Sequence, residues 1–129
     1  MKMQIEMIEI DRLKHIEGFS KKRVQWLKGK IVREGIWNKP VALDSEHGLV
    51  LDGQHRMEVA RALGLKLIPA VKYQYATVRV WSLRPGKYDF TWETVVQRAL
   101  AGDIYPYKTV KHEFPMPLPL CNFALDELY

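Results

Sequence analysis

The chain has 129 residues, 47% hydrophobic and 27% charged, which is one ordinary domain's worth and excludes disorder over most of its length. Eight glycines and seven prolines without a three-residue period exclude a collagen-like fibre, and a single cysteine, Cys121, excludes an intrachain disulfide framework and a multi-cysteine zinc site. Twenty Lys and Arg against fifteen Asp and Glu leave a formal charge of +5, which favours anionic partners (nucleic acid, nucleotides, phosphorylated metabolites) without choosing among them.

Residues 4–10 alternate imperfectly and predict a strand. Ser20 is placed to cap a helix in which Val24, Leu27 and Ile31 recur at helical spacing and which Gly35 ends. The rest of that helix carries Lys21, Lys22, Arg23, Lys28 and Lys30, either a solvated face or a patch turned to phosphate. Residues 40–43 predict a short strand, 45–48 a turn and 49–51 a second short strand. Asp52 to Arg56 follow as a turn, and 57–63 as a helix that Gly64 closes. Residues 67–73 and 75–81 predict two further strands, and 82–90 a loop containing Pro85-Gly86. Thr91 caps a third helix, with Val95, Val96, Ala99 and Leu100 facing inward and Gly102 stopping it. Residues 105–129 are proline-rich and expected to be mostly irregular.

Strands and helices interleave without repeats or a clean linker, so one mixed α/β (α+β) domain over 1–129 is expected. Trp26, Trp37 and Trp92 read as packing residues, and His15 and His47 have no second ligand at useful spacing, so no protein-only metal site is expected. The N-terminus lacks the apolar stretch of a secretion signal, and the uncharged run 114–125 is too short and too proline-rich to span a bilayer. A soluble, cytoplasmic protein is the expectation.

The most informative segment is Leu49-Val50-Leu51-Asp52-Gly53-Gln54-His55-Arg56, a strand, a glycine turn and a helix start. A helix start exposes unpaired N–H groups and the positive end of the dipole, where phosphate binds. Gly53 lets the backbone approach an anion, Arg56 offers a planar fork for phosphate oxygens, and His55 adds a donor or shuttles a proton. Asp52 is placed to bind a metal or orient a hydroxyl. The plainer alternative is that Asp52 caps the helix and Arg56 pairs with Glu58 or Glu46. Further on, Lys108, Thr109, Lys111 and His112 put two cations, a hydroxyl and an imidazole within five residues of non-helical chain. Such a loop either wraps one phosphate or is an exposed basic loop without a ligand.

The stretch VLDGQHRMEVARALGLKLIPAV resembles the signature of the ParB/sulfiredoxin superfamily, in which a hydrophobic strand, a D-G-x-H-R turn and an R-x-x-A-x-x-x-L-G helix recur. GIWNKPVALD is similar to its lead-in, and the likeness covers roughly residues 5–80. It implies a small mixed sheet flanked by about three helices. Gln54 stands where sulfiredoxin carries its reactive cysteine, so no thiolate is available there for sulfinic-acid reduction. The chromosome-partitioning branch has an acidic, arginine-rich turn and a following helix-turn-helix domain, for which this chain is too short.

The stretch YPYKTVKHEFP (105–115) is similar to the Y-x-P-K-T-T-R-H segment of the ADP-dependent free serine kinases of that superfamily, whose chains end in L-x-E-L-[FY], here LDELY. Larger members carry an extra domain before the last helix. This chain runs directly from Trp81 to Thr91, like the compact catalytic domain. The resemblance implies Glu17 as general base, Trp81 as a wall of the amino-acid pocket, and Asp52 and His55 as further catalytic groups. It implies phosphates clamped by Gly53, Gln54, His55 and Arg56 on one side and Lys108, Thr109, Lys111 and His112 on the other. Mg²⁺ would be held chiefly by the phosphates of ADP or ATP (or CTP), helped by Asp52 or Glu17. Departures from the pattern are Ile16 between His15 and Glu17, Gln54 for a histidine, Val110 for a threonine and Lys111 for an arginine.

The expected function is a nucleotide-binding phosphotransferase moving a phosphoryl group to a small hydroxyl substrate, L-serine first among them. The alternatives are a ParB-like nucleic-acid-binding or nuclease module with a nucleotide switch, and a non-catalytic subunit that docks through its proline-rich tail.

Overall fold

The computed structural model describes residues 4–129. The chain opens with β1 (Glu6–Glu9), whose side chains alternate between half-buried and exposed. The predicted strand over 4–10 is cut short because Ile10 starts a turn of 3-10 helix, its N–H donating to Lys66. α1 (Lys21–Glu34) is capped as expected: the Ser20 hydroxyl accepts the Arg23 N–H at 3.1 Å, and Gly35 ends it at φ +66°. Its apolar stripe buries Val24, Leu27 and Ile31. β2 (Ile36–Trp37) places Trp37 fully inside.

β3 (Val41–Asp44) is buried throughout, and its alternate residues enter two different cores. It turns into β4 (Val50–Asp52) through a loop closed by the Asp44 carboxylate, which accepts the N–H groups of His47 and Leu49. α2 (Gln54–Leu63) follows after one residue and feeds β5 (Leu67–Tyr73). The sheet order is β1-β5-β3-β4, with β3 parallel to β5 and the outer pairs antiparallel. A parallel strand in the middle of a sheet is covered on both faces, which is why the Val41–Asp44 run is apolar almost without a break. On one face α1 and α2 pack over Val41, Leu43, Val50 and Ile68. On the other lie Ala42, Leu49, Leu51 and Val71, covered by elements from the second half of the chain.

The predicted strand over 75–81 is instead a 3-10 turn, Tyr75–Thr77, followed by β6 (Arg79–Ser82). α3 (Trp92–Leu100) is capped by Thr91 and Thr94 reciprocally and buries Val95, Val96 and Ala99. Leu100, expected inside, is 47% exposed. The tail is more ordered than its prolines implied. β7 (Val110–Glu113) pairs antiparallel with β6, and β8 (Phe123–Ala124) pairs with β2. Both partners are remote in sequence, so no local pattern announces the pairing. Of the apolar tail residues, Phe114, Leu118 and Phe123 pack against the cores, whereas Leu120 is 83% exposed. Among the described residues no helix is long and apolar enough to cross a membrane.

Candidate anion-binding cleft

β4 ends at Asp52 and α2 begins at Gln54, so Gly53 alone must turn the chain. It does so at φ +117°, and a Cβ there would lie 2.5 Å from Val41 Cγ1. No other residue fits. Gln54, His55 and Arg56, expected in the turn, are therefore the first residues of the helix, where backbone N–H groups have no intrahelical acceptor. They line a cleft of about 470 Å³.

Glu17 and Gly18 line the cleft too, and so do Tyr107, Val110, Lys111 and His112 from the tail. The two segments are tied together by backbone. Gly18 donates to Tyr105 at 2.8 Å, Tyr105 donates to Ile16 at 3.1 Å, and the Val110 N–H donates to the Glu17 carboxylate at 3.2 Å. Gly18 makes the close approach possible, since a Cβ on it would sit 3.3 Å from the Tyr107 nitrogen. The strand-turn-helix motif and the tail motif thus border one space.

Arg56 is the most constrained cation there. Its Nη2 donates to the Asn38 side chain at 3.2 Å, while its buried Nε–H has no protein partner among the described residues. Neither Glu58 nor Glu46 takes it: Glu58 is bound by His15 at 2.8 Å and Arg61 at 3.0 Å. Burial works against the Arg56 charge and Asp52 supports it. Asp52 is not the helix cap; its half-exposed carboxylate lies 3.9 Å from Lys39.

His55 accepts the Ser20 N–H on Nε2 at 3.1 Å, which leaves its proton on Nδ1. Burial, helped by Arg23 and His15, holds its pKa below the usual range and keeps the ring neutral. Gln54 is 8% exposed and its amide is engaged on both sides, donating to the Val50 carbonyl and accepting from His15 Nδ1 at 2.6 Å. His112 is likewise occupied. The Tyr75 hydroxyl donates to Nε2 at 2.8 Å, the Leu51 backbone binds the ring, and burial takes its pKa down to about 4. His112 reads as a strut between β7 and the β4 end of the sheet. Glu17 is 9% exposed, and burial raises its pKa despite the Val110 and Thr109 N–H groups and the Arg84 charge.

Lys108, Thr109 and Trp81 do not line the cleft. Lys108 adopts φ +60° and lays its ammonium 5.4 Å from the Tyr107 ring centre. Thr109 is fully buried, its hydroxyl donating to the Pro106 carbonyl at 2.6 Å. Trp81 lies opposite Lys111 in the β6–β7 ribbon, under the Arg79 guanidinium. Conversely, Arg23, Trp26, Lys30 and Lys39 line the cleft, and the sequence had not singled them out as a set. Trp26, read as a packing residue, is 60% exposed. The available signal was its offset by one residue from Leu27, which takes it off the Val24–Leu27–Ile31 stripe.

Five cations (Arg23, Lys30, Lys39, Arg56, Lys111) therefore face two carboxylates, Glu17 and Asp52, around the cleft. No group of three or more His, Cys, Asp or Glu side chains able to hold a metal occurs among the described residues.

Compared by sequence, the chain matches neither a described family nor a curated protein. Compared by structure, it is similar to a free serine kinase in complex with AMP, at TM-score 0.88 and 18% identity, over 100% of this chain and 95% of that one. A conserved hypothetical protein from Pyrococcus furiosus gives 0.87 at 16% identity, over 100% and 99% of the two chains. C-terminally truncated SbnI from Staphylococcus aureus gives 0.83 at 11%, over 95% and 88%. The chain therefore shares the single-domain mixed α/β fold of these structures, the free serine kinase among them.

Proposed function

We propose that the cleft binds a nucleoside diphosphate or triphosphate and transfers a phosphoryl group to a small hydroxyl compound, of which L-serine is the first candidate. The observation that carries this reading is the buried Arg56 Nε–H, left without a partner beside the open first turn of α2. An unsatisfied buried donor is costly, and a phosphate oxygen supplies the missing acceptor. The excess of cations in the cleft supports the same ligand. Free serine kinase structures of this fold were solved with AMP and, for a variant, with ADP.

Phosphates would sit on the Gly53–Arg56 backbone and on Arg56, with Lys39 and Lys111 beside them. Mg²⁺ fits this site as a partner of the phosphates, with Asp52 as its one accessible carboxylate; when bound, it would neutralise charge developing on the transferred group. Glu17 would take the proton from the substrate hydroxyl as its oxygen bonds to phosphorus and the bond to the leaving phosphate oxygen breaks. From ADP the products are AMP and the phosphate ester. A carboxylate with its pKa raised by burial is suited to that step.

The test is calorimetry with ADP and ATP, with and without Mg²⁺, beside ³¹P detection of phosphate ester with serine and other small alcohols. Glu17→Gln should bind ADP as the parent does and form no ester. Arg56→Lys, which removes the orphaned Nε–H and the planar fork, should weaken ADP binding about tenfold or more. Undiminished ester formation by Glu17→Gln sinks the base assignment, and undiminished ADP affinity in Arg56→Lys sinks the phosphate assignment.

A further inference from the structure

Trp26 is the one large aromatic side chain of α1, it is 60% exposed, and it lies on the wall of the cleft. A tryptophan left this open forgoes its own burial, and an exposed aromatic bordering a cleft is a feature that asks for a ligand. Among the described residues it has no aromatic partner, and its contact of note is the Lys30 ammonium, 5.7 Å from the ring centre. Arg23, Trp26 and Lys30 follow one another at i, i+3 and i+7, so all three flank one side of the helix beside the buried Leu27. The lining of the cleft thus combines two chemically different features. One is a helix N-terminus with Arg56; the other is a flat π-surface with cations at its edge. A ligand that matches both has a planar ring joined to phosphates, and a cleft of about 470 Å³ lies within the size range of small-molecule sites.

We infer that Trp26 is the platform on which the nucleobase stacks, so that α1 holds the base while the α2 start holds the phosphates. This rests on the nucleotide reading above and names the part of the site that gives a nucleotide its advantage over bare phosphate. Stacking tolerates any base because every base has a π-face, so the platform favours nucleotides as a class and discriminates weakly among bases.

The test compares ADP with pyrophosphate, which has the phosphates and no base, by calorimetry on the parent, Trp26→Ala and Trp26→Phe. The side chain is exposed, so both variants should fold, with unchanged circular dichroism and melting curves as the check. Trp26→Ala should weaken ADP by roughly 5- to 150-fold, the range for loss of one stacking partner, and leave pyrophosphate unchanged. Trp26→Phe should restore most of the ADP affinity. Equal ADP affinity in parent and Trp26→Ala overturns the platform and leaves the phosphate site standing, and so does an equal loss for ADP and pyrophosphate. A parent that binds neither ligand overturns the nucleotide reading itself. If Trp26→Ala loses affinity only for a single-stranded oligonucleotide, with ADP unaffected, the tryptophan serves a polymer and the inference fails.

Discussion

Glu17 and His112 line the same cleft, and burial moves their pKa values in opposite directions. Each shift carries a signed consequence. His112 is held down to about 4 from 6.5, so the unfolded chain takes up its proton before the folded one does. Its stabilising contribution is complete above pH 6.5 and is lost as the pH falls through that window towards about 4. His112→Gln, which can still bond Tyr75 and the Leu51 carbonyl, should flatten the fall in melting temperature across that range. An unchanged slope would place the titration elsewhere. Glu17 behaves oppositely. Its raised pKa means the folded state resists the charged form, so the destabilisation is complete above the folded pKa and is relieved as pH falls towards 4.5. Glu17→Gln should therefore melt no lower than the parent at pH 7 to 8 while losing turnover, a separation of stability from activity that a structural glutamate would not show. In the parent, phosphoryl transfer should fail on the acid side with a midpoint above the ordinary glutamate value, since the protonated carboxyl accepts no proton.

At the scale of elements, the junction of β4 with α2 decides whether the cleft exists. Gly53 is held at φ +117° against Val41, so Gly53→Ala meets both a backbone penalty and a clash at 2.5 Å. Together these should cost about 2–4 kcal/mol in urea unfolding and displace the first turn of α2. Adding Val41→Ala removes the 2.5 Å contact but leaves the Val41 Cβ at 2.9 Å and the dihedral strain, so the double variant should recover only in part. A Gly53→Ala protein of parental stability would refute this account of the turn. Much of the fold was legible beforehand because its signals are local: Ser20 and Gly35 bracket α1, Thr91 caps α3, and Leu67–Tyr73 is a strand apolar but for Lys72. The misses have a common cause. Tyr75–Trp81 and the tail acquire their structure from each other, with Val80 opposite His112 across thirty-two positions of sequence. Trp26 was misassigned because an aromatic near an apolar stripe looks the same in sequence whether it enters the core or borders a cleft. The eight candidate residues that line the cleft belong to short motifs, whereas Arg23, Lys30 and Lys39 entered it through tertiary packing.

Over the whole molecule the relevant property is where the formal charge of +5 is concentrated. Five cations against two carboxylates make the cleft a focus of positive potential. A ligand should then be ranked by its phosphates: ADP above AMP, and AMP above adenosine, which would bind only through its base. The electrostatic share can be separated by salt. Between about 0.1 and 1 M NaCl the screening length falls from about 10 to 3 Å, so ADP affinity should fall more steeply than AMP affinity, and adenosine affinity should scarcely change. A nucleic-acid partner would behave differently, because a polymer releases a counterion for each phosphate neutralised and its slope grows with the number of contacts. A slope for a single-stranded oligomer many times that for ADP, with tighter binding at low salt, would move the assignment from a metabolite cleft to a strand-binding groove. Adenosine binding as tightly as ADP at all salt concentrations would remove the phosphates from the account altogether.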